Sequence, residues 1–231
     1  MIVVISSCSA RKDDSVPIPP GRRKITPSNY LSEEMSSKLL AIRERVLSDP
    51  RAKLGSKETY AFDLYVRAGN AYKDLFKSYN YIKVKEILLN NGEVEWFFIS
   101  GGYGIIHALE EARSYQATFN KQLARRLNIP YTKEVWRGFI PLAYDEIFTK
   151  LRPSWVYVFG SKDYTDFIKE TRYWREQGNV KVFESTGTAG PFWLSPIINS
   201  LANAILNRRL EEFNEKYPCR FIKQGAWRRA T

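Results

Sequence analysis

The sequence predicts an α/β fold: a mostly parallel sheet of about four or more strands flanked by helices. Three observations predict it. Four short apolar runs, at 2–6, 96–100, 155–160 and 180–184, lack the in-out alternation of a half-solvated strand, so both faces are expected to be covered. Segments with apolar residues at helical spacing separate them. Strands that alternate with helices select a parallel sheet.

Taken in order, the first run (IVVIS) has no basic flank and reads as a strand, not as a secretory leader. Residues 13–30 carry Pro17, Pro19, Pro20, Gly21 and Pro27, which predicts an irregular loop. Met35, Leu39, Ile42 and Val46 recur at helical spacing behind Ser32, a suitable N-cap. Residues 47–60, with Asp49-Pro50 and Gly55, form a second loop. The span 132–151 is helical in pattern, but Pro141 should kink or split it. Tyr164, Phe167, Ile168 and Thr171 line one helix face. Ser195-Pro196 reads as a cap and first-turn proline opening a long helix, with Leu194, Ile197, Ile198, Leu201, Ile205 and Leu210 inward. Past Tyr217-Pro218 the pattern fades, so 1–217 is expected to be a single domain and 218–231 a basic tail.

Lys and Arg number 36 against 25 Asp and Glu, a net charge of +11. Such a field favours polyanions, and nucleic acid before membranes. Basic side chains cluster at Arg22-Arg23-Lys24, Arg125-Arg126 and Arg208-Arg209, and in the tail at Arg220, Lys223, Arg228 and Arg229. Trp136-Arg137, Tyr173-Trp174-Arg175 and Trp227-Arg228 set rings beside them, a pairing suited to stacking on bases or to the rim of a core. With no run of eighteen apolar residues a membrane span is not expected, and a cytoplasmic protein is. One His and two Cys offer neither a zinc site nor a disulfide framework, so no metal or cofactor is expected. Oligomeric state is not readable.

In open α/β sheets ligands gather at the carboxyl ends of the strands. Those exits are unusual here. SSCSARKDD follows the first strand with hydroxyls, the thiol of Cys8, the cations Arg11 and Lys12, and the acids Asp13 and Asp14. WFFIS runs into Ser100-Gly101-Gly102-Tyr103-Gly104, with His107, the single histidine, and Glu110 beyond. GSKDY brings Gly160, Ser161, Lys162 and Asp163 to a helix N-terminus suited to an anion, and ESTGTAGPFW follows Glu184. No GxxxxGK[ST] or GxGxxG follows a strand, which argues against nucleotide-triphosphate and dinucleotide chemistry. The phosphatase spacing Cys-x5-Arg fails because position 14 is Asp.

The exits also carry a resemblance. SGGYGIIHALEEARSYQATF resembles the Ser-Ala-Lys-Tyr-Gly-Leu … Pro-Tyr-Asp-x-Thr-Leu signature of the YaaA-like family of peroxide-stress and DNA-associated proteins, with Ser100, Tyr103, Gly104, Tyr115 and Thr118 on family positions. SSCSARK is similar to the family's Cys-Ser-x-x-Lys and places Cys8, Ser9 and Lys12. Ala61, Leu64, Tyr65 and Gly69 resemble its Ala-x-x-Leu-Tyr-x-Gly segment, and VYVFGSKDY resembles a later strand ending in Gly and Tyr. The four motifs touch most of residues 1–170 in the family's order. Gly102 stands where the family has Lys, and Gln116 where it has Asp. The resemblance implies DNA binding, a role in oxidative damage and, from archaeal relatives, excision of a modified uracil such as 5-hydroxymethyluracil.

An enzyme that excises a base must unstack it, sandwich its ring and hold its edge. Tyr103 between two glycines, Tyr65 and Tyr115 are candidate stacking rings, or core packing. A carboxylate would stabilise the sugar cation or orient water; Asp13, Asp14, Glu110, Asp163 and Glu184 are candidates, and His107 is a candidate base. Lys12 and Lys162 are donors to the base or phosphate. Three functions fit: a metal-independent DNA glycosylase for a modified pyrimidine, a DNA-binding stress protein without catalysis, or a nucleotide hydrolase or transferase.

Overall fold

The computed structural model describes residues 1–90 and 92–225. β1 (Ile2–Ser7) leads through the proline-rich loop to α1 (Glu33–Leu47), where the Ser32 hydroxyl accepts from the Met35 N–H at 3.3 Å. β2 (Glu58–Tyr60) runs directly into α2 (Ala61–Val66), followed by α3 (Lys73–Lys77) and α4 (Asn80–Asn90). β3 (Val94–Ser100) folds back as β4 (Gly104–His107), and β5 (Glu111–Arg113) precedes α5 (Lys121–Leu127). Pro141 splits the next helical stretch as expected, into α6 (Lys133–Arg137) and α7 (Ile140–Leu151), where it occupies the first turn of the second helix. Then come β6 (Trp155–Ser161), α8 (Lys162–Lys169), α9 (Arg172–Glu176), β7 (Val180–Ser185), α10 (Gly190–Leu206), α11 (Leu210–Lys216) and β8 (Phe221–Lys223).

The fold is α/β, as the sequence predicts. Six strands form one sheet in the order β4-β3-β1-β6-β7-β8, all neighbours parallel except β3 with β4. β2 and β5 form a separate antiparallel pair. The four expected strands are its centre. Val3, Val4 and Ile5 of β1 are fully buried and every residue of β3 is buried, which is why these segments are apolar without alternation. From β1 the chain goes to β3 on one side, then crosses to β6 on the other. The sheet's topological switch point therefore lies at the carboxyl end of β1, where the connecting loops part and leave a crevice.

Four expectations are corrected. Glu58–Tyr60 of the expected 47–60 loop is β2, and the long helix stops at Leu206, so Leu210 opens α11 instead. α10 starts at Gly190, so Pro191 takes the first-turn position and Ser195-Pro196 lies inside the helix. The Ser195 hydroxyl caps nothing of its own helix. It accepts from the Asp74 N–H at 2.9 Å and ties α10 to α3. Past Tyr217 the chain does not simply trail away: Phe221–Lys223 pairs in parallel with β7 as an edge strand. Trp227, Arg228 and Arg229 lie outside the described residues.

Candidate active site at the exit of the first strand

Beyond β1 the backbone stays pinned beside β3 for one more residue, because the Cys8 N–H donates to the Ile99 carbonyl at 2.8 Å. Ser9 is then pressed against the end of α2. A Cβ on Gly69 would sit 2.9 Å from Ser9 Oγ and 2.7 Å from the Tyr65 carbonyl, so only glycine allows this approach. Lys12 folds back over the loop. Its Nζ donates to the Ser9 carbonyl at 3.2 Å and lies 4.1 Å from the centre of the Tyr115 ring.

Tyr115 belongs to the segment after β5, and its hydroxyl meets Ser100 Oγ, the last residue of β3, at 2.6 Å. The Tyr65 hydroxyl lies 3.3 Å from that of Tyr115 and 3.4 Å from Ser100 Oγ. From the β6 exit, the Tyr164 hydroxyl comes within 3.8 Å of Cys8 Sγ. A Cβ on Gly160 would stand 3.1 Å from Tyr164 Cβ, so this glycine sets the approach of α8 to the β1 loop. Three strand exits thus meet. The loop after β1, the start of α8 after β6 and the segment after β5 enclose a cavity of about 410 Å³ whose polar wall is Cys8, Ser9, Lys12, Lys53, Tyr115, Gln116, Thr118 and Tyr164. Its other wall is aliphatic: Leu123, Leu127 and Ile129. A smaller hollow of about 180 Å³ lies on the far side of Cys8–Ala10, with Arg11, Gly69, Asn70 and Pro191 in its wall. A hollow of about 420 Å³ between α7 and α9 contains Pro153 and Asn179, just before β6 and β7, at the opposite edge of the sheet from the exits of the parallel strands.

Burial lowers the Lys12 ammonium pKa, partly opposed by Cys8. Burial, and then Cys8, raise the phenols of Tyr65, Tyr115 and Tyr164 well above the ordinary tyrosine value, so they remain hydroxyls and hydrogen-bond donors.

The Gly-Gly-Tyr stretch is a hairpin turn beneath this cavity, not its lining. Ser100 pairs with Gly104 across it. A Cβ on Gly101 would meet the Ala117 carbonyl at 2.7 Å, and one on Gly102 the Tyr115 ring at 2.5 Å. Gly104 has φ +69 and would drive a Cβ to 2.3 Å from the Trp136 ring. Tyr103 is buried, edge-on to Tyr115 at 5.3 Å, and its hydroxyl accepts from the Arg113 N–H at 2.8 Å. The glycines admit Tyr115 and Trp136. They do not display Tyr103.

The expected acids and the histidine are engaged elsewhere. Asp13 pairs with Arg67 at 3.0 Å, Asp14 accepts from Ser114 Oγ at 3.0 Å and Asp163 pairs with Lys133 at 2.9 Å. Glu110 forms a buried fork with Arg43, at 2.5 and 3.1 Å. Glu184 accepts from Thr165 at 2.7 Å and Lys169 at 2.8 Å. Nδ1 of His107 accepts from the Leu109 N–H at 3.0 Å, so Nε2 carries the proton and donates to Glu95 at 2.6 Å. Both ring nitrogens are committed. Among the described residues no carboxylate lines the main cavity, and Gln116, which does, holds the position of the resembled family's acid. Among the described residues no group of His, Cys, Asp or Glu is placed to hold a metal.

Among the described residues the basic clusters lie on separate elements. Arg125 and Arg126 are exposed on α5; Leu123 and Leu127 of that helix line the cavity, as does Lys53, and neither arginine is in its wall. Arg11 borders the smaller hollow. Lys162 pairs with Asp166 at 2.7 Å and Lys24 with Glu111 at 2.6 Å, with Arg22 and Arg23 exposed beside it. Arg208 and Arg209 follow α10, which runs from the carboxyl edge of the sheet to the amino edge, away from the cavity. Ser161 precedes α8 without a side-chain cap bond. Tyr164 and Lys53 are wall residues that sequence reading does not count in the site: the first is read only as the end of VYVFGSKDY and as part of a helix face shared with core residues, and the second is a loop lysine in left-handed backbone, φ 45. In comparison with known proteins, no family model matches the chain and no curated relative is found.

Proposed function

We propose that this protein binds DNA, draws one unstacked base into the cavity at the β1 exit and cleaves its N-glycosidic bond, the base being a modified or oxidised pyrimidine such as 5-hydroxymethyluracil. The observation that carries this reading is the convergence of Cys8, Ser9 and Lys12 from the β1 exit, Tyr164 from the β6 exit and Tyr115 from the segment after β5 on a single cavity. Its volume of about 410 Å³ falls among those of ligand sites. Phenol walls suit a flat ring; the hydroxyls and the Gln116 amide suit the polar edge of a pyrimidine and the charge that grows on a departing base. Lys53 is in the wall, and the exposed Arg125 and Arg126 belong to α5, the helix that supplies part of that wall; these cations suit the phosphates of an extruded nucleotide.

Duplexes carrying 5-hydroxymethyluracil, uracil or an oxidised pyrimidine are to be incubated with protein and assayed for released base and abasic sites. Release from at least one is expected. With protein in excess, release from none overturns the reading. The missing carboxylate favours a second one, DNA binding without chemistry. It predicts salt-sensitive binding with no product and no effect of Tyr115→Ala.

A further inference from the structure

Resting on that reading, we propose that Lys12 is the nucleophile of the site, bonding covalently to the sugar, and that the protein is therefore also an abasic-site lyase that cuts the strand. N-glycosidic cleavage needs a partner for the electron-poor C1′ carbon. Asp13, Asp14, Glu110, Asp163 and Glu184 are held by other side chains, and none lines the cavity. The groups of its wall that remain to bond carbon are the Cys8 thiol, the Ser9 and Thr118 hydroxyls, phenols that burial keeps protonated, and the amines of Lys12 and Lys53, of which Lys53 is exposed while Lys12 folds back over the β1 loop. Of these only an amine converts its bond to C1′ into an iminium that relays the reaction onward.

Lys12 is suited to this by its surroundings. It has no ion pair among the described residues, and its one hydrogen bond is to an uncharged carbonyl. Burial adds to this by lowering the pH at which the amine becomes neutral.

The neutral Nζ forms a bond to C1′ as the C1′–N bond breaks, and the pair leaves on the base, which takes up the amine's proton. The nitrogen lone pair then expels the ring oxygen, which is protonated by water, leaving an iminium between Nζ and an open-chain sugar. Loss of a C2′ proton expels the 3′-phosphate and cuts the strand. Water hydrolyses the remaining imine and restores the lysine.

The test treats duplex DNA carrying a preformed abasic site with the full chain and sodium borohydride, whose hydride reduces an iminium to a stable amine. We expect a covalent protein–DNA species whose peptide map places the sugar on Lys12. Lys12→Gln and Lys12→Arg, the second keeping length and charge, are expected to lose it while unfolding at the parental temperature. An adduct on Met1 or another lysine, no adduct, or undiminished trapping by both variants overturns the proposal. The arms also separate the two readings. Lesion duplexes that release base equally with Lys12→Gln sink the lysine proposal and leave the glycosylase. Trapping at Lys12 with no lesion releasing its base supports the lysine and sinks the glycosylase.

Discussion

Replacing Arg43 with methionine tests whether Glu110 is a structural clamp or a reacting acid. The guanidinium reaches from α1 to the hairpin, donating to both Glu110 oxygens, to the Tyr103 carbonyl at 2.9 Å and to the Ile105 carbonyl. Both side chains of the ion pair are about nine-tenths buried, at 10% and 9% exposure. Methionine fills much of the volume but leaves a buried carboxylate and two carbonyls without their donor. Breaking a buried pair in this way costs about 3–5 kcal/mol. In a chain of this length about 4 kcal/mol corresponds to a fall of roughly 8–16 °C in Tm. Urea and thermal unfolding measure it. The double variant Arg43→Met with Glu110→Leu removes the stranded charge and should recover much of the loss. A loss below about 1 kcal/mol, as for an exposed pair, would refute the clamp. So would abolished base release by Glu110→Gln in protein that remains folded.

Gly104→Ala should destabilise the fold through its positive φ and the Trp136 ring, by about 2 kcal/mol or more; an unchanged unfolding midpoint would show that the hairpin has room. Arg125→Glu with Arg126→Glu on α5 should weaken DNA binding and flatten its log–log salt dependence by about 2, whereas reversing Arg208 and Arg209 should do so less; equal effects would deny α5 a particular role. The rate of borohydride trapping should rise with pH and level off below the ordinary lysine value of 10.5, because only the neutral amine attacks and burial lowers its pKa; a midpoint at the ordinary value contradicts that. Burial raises the Glu184 carboxyl pKa, but Lys169 and Thr165 outweigh it and hold the group below 4.5. Its stabilising contribution is complete above the unfolded-chain value and is lost as pH falls through the folded one, so Glu184→Gln should flatten the acid limb of a stability–pH profile.

The central strands were legible because their environment is uniform: apolar neighbours on both faces leave the same mark whatever the topology. β4 was not, because Gly-Ile-Ile-His continues an apolar stretch and nothing local says that Gly104 turns back onto Ser100. Ser195-Pro196 has a cap's chemistry, but Gly190-Pro191, one turn and a half earlier, starts the helix instead. Within the site, Cys8, Ser9 and Lys12 could be found from their positions just past a strand end, and Tyr115 only from the motif resemblance. The fate of the acids could not. Asp13 and Arg67 are 54 residues apart, Asp14 and Ser114 are 100 apart, and Arg43 and Glu110 are 67 apart. A carboxylate's residue type shows what it can do. Only the fold shows whether a distant cation has claimed it.

The position of β1 also has a kinetic consequence. Ile2 is registered with Val94 on one flank and Trp155 on the other. During translation this apolar segment emerges well before either neighbour, and until residues 155–161 have left the ribosome one of its edges has nothing to pair with. Long-range parallel pairing is slow, and a bare strand edge invites association with other chains. Nascent or truncated forms ending before β6 should therefore be the aggregation-prone species, and should depend most on chaperones.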